Sequence, residues 1–152
     1  MLRLLVTIVL CAGIVPDAEA KTRTCTDPHT GYVYSDGETY RMVSSWYGKS
    51  PTYDFHGKST ASGVTFDRFD PTMVAHKVLP LGTKIEVTNP SNGKTAEATV
   101  VDDGPHPKGR DLDSSEALAE HLDFKHAGTA KLQVRIISMS GSECRDDGEG
   151  LR

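Results

Sequence analysis

The sequence predicts a mainly β protein built around one small closed β-barrel with two short helices. Short apolar stretches recur at even spacing and are separated by turns rich in glycine, which is typical of strands in a small barrel. The apolar positions are too few to cover two layers of helices. A strand, a loop, a short helix and a second strand follow one another twice along the chain, without a residue-level repeat. These three observations favour a single barrel domain.

The first twenty residues are predicted to be a signal peptide. Arg3 gives a short positive start, residues 4–15 are apolar, and residues 18–20 form an Ala-x-Ala cleavage pattern. The apolar run is too short to span a bilayer, and a buried N-terminal helix is the alternative. Cys11 is not expected to carry a lipid anchor, because larger residues precede it where a lipidation motif has small ones. We therefore expect an exported protein, either periplasmic or secreted.

The remaining chain has the length of one domain and no large excess of charge. The net charge is −4 over all 152 residues, which argues against nucleic acid or an anionic membrane surface as a partner. Both ends are polar and rich in turn-forming residues. We predict an N-terminal extension over residues 21–40, the barrel over 41–138 and a flexible tail over 139–152. The protein is expected to be a monomer, without stable membrane insertion after signal cleavage.

The cysteine content predicts a disulfide bond. Signal cleavage leaves two cysteines, Cys25 near the new N-terminus and Cys144 near the C-terminus. Because disulfides persist in oxidising compartments, we predict that these two residues pair. In the entropy model, a bond that closes so long a loop restricts the unfolded chain by about 5 kcal/mol. Two unpaired thiols in the terminal segments are the alternative.

The first half of the barrel is predicted to hold two strands and a short helix. Residues 40–47 form the first strand, which leads into a loop rich in glycine, serine and threonine. Asp70 provides an N-cap and Pro71 the first helical position of a short helix that continues to about His76. Residues 84–88 then alternate between apolar and polar as a strand.

The second half of the barrel repeats this order of elements. An Asn-Gly hairpin turn precedes a strand over residues 95–101. Asp113 is the predicted N-cap of a helix over residues 114–122, with Glu116 placed to complete a capping box. Residues 131–137 alternate again and form the last predicted strand.

Five short motifs stand in order between the first and the last of these strands. They are Trp46-Tyr47-Gly48, Thr60-Ala61-Ser62-Gly63, Ala75-His76-Lys77, Leu79-Pro80-Leu81-Gly82-Thr83 and Asp102 with Gly104-Pro105. In this order and spacing, residues 43–137 resemble the catalytic domain of the rare lipoprotein A family, exported bacterial lytic transglycosylases of peptidoglycan. The resemblance implies a six-stranded double-psi β-barrel. It also implies cleavage of the MurNAc–GlcNAc bond in glycan strands without stem peptides, which leaves a 1,6-anhydro end.

The resemblance implies that Asp102 and Asp113 are catalytic. Asp102 matches the catalytic aspartate of the family, and Asp113 matches a second acidic position that expansins and family 45 endoglucanases also carry. The reaction needs an acid for the departing glycosidic oxygen and a base for the C6 hydroxyl that closes on the anomeric carbon. One carboxyl group that is partly desolvated beside another acid can serve both steps in turn, and Asp102 is the candidate. Taken alone, residues 102–105 are also a good turn sequence, and Asp113 a helix N-cap.

The same resemblance gives the candidate residues for substrate binding. They are Trp46, Tyr47, Gly48, Thr60, Ser62, His76 and Lys77. Trp46 and Tyr47 would stack on a pyranose ring, although a lone tryptophan also suits a core position. His76 and Lys77 would contact sugar hydroxyls or hold Asp102, and the alternative is a helix end at which both interact with the helix dipole. No histidine shows metal-ligand spacing, so we predict no metal and no cofactor.

One position departs from the family pattern. The family has a glutamate implicated in catalysis after Ala-Ser-Gly, whereas Val64 stands there in this chain. Valine cannot transfer a proton, and Asp67, three residues on, is a candidate replacement. Three functions follow: an exported lytic transglycosylase that acts on peptidoglycan glycan strands, a non-catalytic expansin-like module that binds the cell wall, and a secreted barrel that recruits a protein partner. The first is our leading interpretation.

Overall fold

The computed structural model of the chain describes residues 21–49 and 52–146, so the predicted signal peptide and Cys11 lie outside the described residues. The elements in chain order are β1 (Thr24–Thr26), β2 (Val33–Ser35), β3 (Thr39–Tyr47), β4 (Met73–His76), β5 (Lys84–Thr88), β6 (Thr95–Asp102), β7 (Leu112–Ser115), α1 (Glu116–His121) and β8 (Ala130–Ser138). Within the described part, no helix is long and apolar enough to cross a membrane.

Six strands close into a barrel in the order β3-β7-β4-β6-β5-β8, which confirms the predicted barrel. The pairings β6–β5, β5–β8 and β8–β3 are all antiparallel, and we call this half the antiparallel side. In the other half, β3–β7 and β4–β6 are parallel and only β4–β7 is antiparallel, and we call it the mixed side. Closure leaves no unpaired sheet edge in the barrel.

The barrel interior is filled by alternate residues of its strands. On the antiparallel side, Ile85 and Val87 of β5 pair with Ile136 and Val134 of β8, and all four side chains are fully buried. Successive side chains of a strand point to opposite faces, so the period-two pattern in the sequence places these residues inside. Burying an aliphatic side chain of this size stabilises the fold by about 1.5–3 kcal/mol.

The strand predictions hold well, and β5 has the predicted bounds. Strands β3, β6 and β8 extend at most one residue beyond the predicted limits at either end. The helix predicted from Pro71 to about His76 is wrong, because residues 73–76 form β4. Asp70 does act as a cap, but its Oδ1 accepts the backbone N–H and the hydroxyl of Thr72 and so closes a turn. Pairing of β4 with β6 and β7 overrides the local helix signal.

The second predicted helix is present but shorter than expected. It begins at Glu116 because β7 continues through Ser115, whose hydroxyl accepts the N–H of Leu118 at 3.2 Å and caps the helix. The expectation that Asp113 is the N-cap is therefore wrong. Only one helix lies within the described residues, so the prediction of two short helices is corrected to one.

The terminal segments meet through the predicted disulfide. Cys25 of β1 and Cys144 are bonded, with their Cα atoms 5.0 Å apart, which confirms the pairing. β1 and β2 form an antiparallel hairpin within the predicted N-terminal extension. In the C-terminal segment, Met139 is buried, and the backbone N–H of Arg145 donates to the carbonyl of Val78 at 2.7 Å. The bond therefore joins two segments that both contact the barrel.

Candidate active site

Two carboxyl groups lie in one row across the mixed side. Asp113 of β7 is paired with Ser45 of β3 on one side and with Ala75 of β4 on the other. Ala75 is paired in turn with Asp102 of β6, where a register shift follows Val74. Two strand spacings therefore separate the acids, or about 10 Å between Cα atoms. We call Ser45, Asp113, Ala75 and Asp102 the acidic row, which brings together both predicted catalytic residues.

Asp102 is fixed by a loop that crosses the end of β6. Its Oδ1 accepts the backbone N–H groups of Ala61 and Asp103, both at 2.9 Å. The loop is attached to the strand by a further bond from the N–H of Ser62 to the carbonyl of Val101 at 3.0 Å. No described residue donates a hydrogen bond to Oδ2 of Asp102. One oxygen of this half-buried carboxyl group is thus held, and the other remains for a ligand.

The predicted binding residues Thr60 and Ser62 hold this loop together. The two hydroxyl groups are 2.9 Å apart, and that of Thr60 donates to the carbonyl of Val64 at 2.8 Å. Gly63 has a φ of +83°, in the left-handed region that favours glycine. These contacts explain the small-residue motif as the structure that presents the Ala61 N–H to Asp102.

Asp113 is the more buried acid of the row. Burial raises the pKa of its carboxyl group to about 6, and the nearby charge of Asp102 acts in the same direction. The hydrogen bond from the Ser45 hydroxyl at 2.8 Å and the charges of Arg110 and His106 oppose this rise. Near neutral pH, a carboxyl group of this kind exchanges its proton readily, which suits a general acid.

Tyr47 lies next to the acidic row. Burial is the main cause that raises the pKa of its phenol, and the charges of Asp102 and Asp113 raise it further. Its ring stacks on Phe66 with centroids 4.2 Å apart, and its buried hydroxyl has no hydrogen-bond partner among the described residues. One ring face is therefore occupied by protein, and the hydroxyl is a buried polar group beside the acidic row.

Trp46 and Gly48 flank Tyr47 but have other surroundings. Trp46 packs against the core and donates from Nε1 to the carbonyl of Lys125 at 3.0 Å, on the strand face opposite to Ser45 and Tyr47. Gly48 is buried, and a Cβ atom there would lie 3.1 Å from the Cβ of Arg68. Both positions have a packing role in this structure, and neither joins the acidic row.

His76 is buried at the end of β4, with 2% of its surface exposed. Its Nδ1 accepts the N–H groups of Val78 and Leu79 at 3.2 and 3.1 Å, so the proton of the neutral ring is on Nε2. Burial lowers its pKa to about 3, and Arg145 adds to the effect. The alternative of a helix end is wrong for His76 and Lys77, because the preceding residues form a strand.

Arg145 was not found by sequence reasoning, although it contacts Asp103 and the backbone of Asp102. Its guanidinium group donates to the carbonyls of Leu79, His76 and Asp102 and forms an ion pair with Asp103. It follows the disulfide-bonded Cys144 in a segment expected to be a flexible tail. Only the cysteine beside it could have indicated that this arginine is held near the barrel.

Val64 and Asp67 lie on the loop where the family pattern has its glutamate. The side chain of Val64 is 46% exposed. The Oδ1 of Asp67 lies 3.3 Å from Nδ1 of His56 and accepts the N–H of Phe69 at 2.9 Å. These partners, and not the acidic row, account for the carboxyl group of Asp67. In the part of the chain that the structure describes, no cluster of three or more His, Cys, Asp or Glu residues suits a metal ion.

Comparison with known proteins places this geometry in a family. Residues 39–134 match the family model described as Lytic transglycolase. The chain is 43% identical over 110 residues to the endolytic peptidoglycan transglycosylase RlpA of Pseudomonas aeruginosa (strain UCBPP-PA14), covering 71% of this chain and 31% of the relative. It is 36% identical over 114 residues to RlpA of Vibrio cholerae, covering 68% of this chain and 41% of the relative. The chain thus spans less than half the length of these relatives.

A solved structure supports the same fold. The Streptomyces papain inhibitor superposes with a TM-score of 0.52 at 19% identity, covering 68% of this chain and 97% of that chain. At this identity, the similarity concerns the fold alone. The family model covers the barrel from the start of β3 into β8, and the five sequence motifs fall within it. The chain therefore belongs to the lytic transglycolase family, in which it is similar to the RlpA endolytic peptidoglycan transglycosylases.

Proposed function

We propose that this protein is an exported lytic transglycosylase that cleaves the MurNAc–GlcNAc bond of peptidoglycan glycan strands, preferring strands without stem peptides. The observation that carries the proposal is the acidic row, in which Asp102 keeps one carboxyl oxygen for a ligand and Asp113 has a raised pKa. The peptidoglycan transglycosylases to which the chain is similar support the substrate class. Export is inferred from residues 1–20 and from the location of such a substrate.

The two acids divide the chemistry between them. Asp113 donates its proton to the glycosidic oxygen as the bond from that oxygen to the anomeric carbon breaks. Asp102 accepts the proton of the C6 hydroxyl, whose oxygen forms the new bond to the same carbon. No water is consumed, and solvent returns the proton from Asp102 to Asp113. Sequence reasoning assigned both steps to Asp102, and the pKa of Asp113 is the reason for dividing them.

The neighbours of the row support this assignment. The Ser45 hydroxyl donates to Oδ1 of Asp113 and orients the carboxyl group, whereas the Ala61 and Asp103 amides orient Asp102. The buried hydroxyl of Tyr47 is a donor for a substrate oxygen at the same place. Fixed groups of this kind stabilise a charged transition state without the cost of reorganising solvent.

Product analysis tests the proposal. Denuded glycan strands are incubated with the purified protein and examined by mass spectrometry for 1,6-anhydro products. Asp102→Asn and Asp113→Asn should each lower the rate by at least about 100-fold. Asp123→Asn is the matched control, because Asp123 is exposed and its φ of 63° is one that asparagine tolerates. Anhydro products that persist in both site variants would rule out the assigned roles.

The pH dependence gives an independent check on Asp113. The acid must be protonated before it donates, and its pKa is about 6. The rate in wild-type protein should therefore fall as the pH rises through about 6. A rate that is level from pH 5 to 8 would place the proton donor elsewhere.

A non-catalytic, expansin-like wall-binding module is the second candidate, and Val64 is the observation that favours it. Sedimentation of the protein with sacculi in the absence of anhydro products would support it. Val64→Glu further distinguishes the enzyme from the wall-binding module, because position 64 is exposed and has room for a longer side chain. Turnover that appears only in Val64→Glu identifies the natural chain as a binder. Failure of both sedimentation and product formation would favour a protein partner instead.

A further inference from the structure

A cavity lies between the N-terminal segment and the barrel, apart from the acidic row. The cavity measures about 360 Å³. Its walls come from residues 27–34 of the N-terminal segment, from residues 76–78 after β4, and from residues 108–111 before β7. The first wall lies outside the residues that match the family model, which begin at residue 39. One wall of the cavity therefore comes from outside the matched barrel.

The cavity is lined by three cationic side chains and two carboxyl groups. Lys77, Lys108 and Arg110 line it, together with the carboxyl groups of Asp27 and Asp111. Within residues 21–49 and 52–146, neither Lys108 nor Arg110 forms an ion pair. Two cations are thus available to an anionic ligand.

The carboxyl groups of the cavity are already engaged by the backbone. Oδ1 of Asp27 accepts the N–H groups of His29 and Thr30 at 2.8 and 3.2 Å, and these bonds close a turn. Oδ2 of Asp111 accepts the N–H of Val43 at 2.8 Å. Both carboxylates keep their negative charge, and each has an oxygen held by the backbone, so the groups left to bind a ligand are the cations.

The cavity also touches a buried donor. His76 lines it, and its protonated Nε2 has no acceptor among the described residues. The ring of Tyr34, another lining residue, lies edge-on with centroids 5.5 Å apart. A buried donor without a partner costs about 1–3 kcal/mol. A ligand oxygen that enters beside Tyr34 would recover part of this cost.

We propose that this cavity binds a carboxylate carried by peptidoglycan. The lactyl ether of N-acetylmuramic acid carries a free carboxylate where no stem peptide is attached, and a stem peptide, where present, carries one at its end. N-acetylglucosamine has the same sugar ring without it. The inference rests on the proposed function for its ligand class, and it assigns the carboxylate recognition to Lys108 and Arg110.

Arg110 connects this cavity to the acidic row. It lines the cavity, precedes Asp113 by three residues, and its charge lowers the pKa of Asp113. A carboxylate bound at Arg110 offsets that charge, so Asp113 holds its proton more strongly when the cavity is occupied. His106 and the Ser45 hydroxyl act on Asp113 in the same direction as Arg110, whereas burial and Asp102 oppose them. Binding in the cavity thus favours the protonated acid.

An NMR titration of the purified protein tests the inference without any turnover. N-acetylmuramic acid, N-acetylglucosamine and a free stem peptide are added in separate experiments, and backbone amide shifts are followed. We expect saturable shifts at Lys77, Gly109 and Arg110 with a carboxylate-bearing ligand and none with N-acetylglucosamine. Arg110→Gln should weaken this binding roughly tenfold, because a charge-assisted hydrogen bond is lost. Arg41→Gln removes an exposed arginine of β3 as the matched control and should leave binding unchanged.

The ligand series separates the outcomes. Binding of N-acetylmuramic acid identifies the lactyl carboxylate as the ligand and supports the proposal together with the preference for strands without stem peptides. Binding of the peptide alone supports the carboxylate site but contradicts that preference. Equal binding of N-acetylglucosamine, insensitivity to Arg110→Gln, or no shift at these residues at saturating ligand would overturn it. If glycan is cleaved but no carboxylate binds, the proposed function stands and the carboxylate site is refuted. If a carboxylate binds but no glycan is cleaved, the carboxylate site stands and the proposed function is refuted.

Discussion

The two sides of the barrel differ in the polar groups that they hold. On the antiparallel side, β5 and β8 bury Ile85, Val87, Val134 and Ile136 and carry their polar residues outside. On the mixed side, β3 and β7 bury serines, and the hydroxyls of Ser44 and Ser114 are 3.0 Å apart. Both sides bury aliphatic groups, such as Val74 and Leu112 on the mixed side, but only the mixed side also holds this cluster of buried hydroxyl groups beside the acidic row.

This difference separates stability from chemistry. Aliphatic burial on the antiparallel side stabilises the barrel irrespective of any ligand. The mixed side holds Asp113 partly buried and Tyr47 with an unpaired hydroxyl, and both arrangements cost stability. We infer that the antiparallel side offsets the cost of the acidic row. Substitutions that remove charge should therefore have different effects on the two sides.

The largest expected effect is the pH-dependent stabilisation of Asp113→Asn. The folded-state pKa of Asp113 is raised to about 6 from 3.8, so the folded protein binds the proton more strongly than the unfolded chain. Its stability therefore falls as the pH rises from about 4 through 6, and the loss is complete above the folded pKa. Removing the charge should raise the free energy of unfolding by at most about 3 kcal/mol at pH 8 and leave it unchanged near pH 3. Denaturant unfolding across this range measures the difference.

Glu86→Gln is the control for the antiparallel side. Glu86 is paired with Arg135 in an exposed ion pair at 3.1 Å, and such pairs contribute about 0–1 kcal/mol. The control should therefore show no gain at pH 8. If Asp113→Asn destabilised the protein at pH 8, the burial of a costly carboxylate in the acidic row would be refuted.

The next-largest expected effect is the loss of stability on replacing Arg145, compared with Arg135 on the antiparallel side. Arg145→Gln should destabilise the protein by about 2 kcal/mol, because its guanidinium group bonds to several carbonyls and to Asp103. Arg135→Gln on the antiparallel side should change stability by at most about 0.5 kcal/mol. Thermal unfolding of both variants, with the disulfide checked by a free-thiol assay, gives the comparison. Equal losses would show that Arg145 does no more for the fold than a surface ion pair.

The antiparallel side could be predicted because its strands carry their own pattern. The alternation of Ile85 with Val87, and of Val134 with Ile136, is visible in each segment alone, and the observed strands follow it closely. The disulfide was predictable for a similar reason, since only two cysteines remain after the predicted cleavage. Local periodicity is sufficient to predict strands whose own residues determine their structure, and the number of cysteines is sufficient to predict the disulfide.

The mixed side could be predicted less well because its strands depend on distant partners. Met73–His76 has a helix-start signal before it, and only pairing with β6 and β7 makes it a strand. The resemblance to a family supplied Asp102 and Asp113, but not Ser45 as the partner of Asp113. Nor does any local pattern show that Arg145 contacts Asp103 and the carbonyl of Asp102. These contacts join residues far apart in sequence, so only the folded chain shows them.

The smallest expected effect tests the cap that sequence reasoning misplaced. Ser115 ends β7 and caps α1, and its hydroxyl also donates to the carbonyl of Asp70 at 2.7 Å. Ser115→Ala should therefore cost about 1 kcal/mol in the free energy of unfolding. Ser91→Ala is the control, because among the described residues this exposed serine is bonded through its backbone N–H alone, and the substitution should cost nothing measurable. If Ser115→Ala were neutral while Asp113→Asn destabilised at every pH, the helix would be capped by Asp113 after all, and the acidic row would lose its most buried acid.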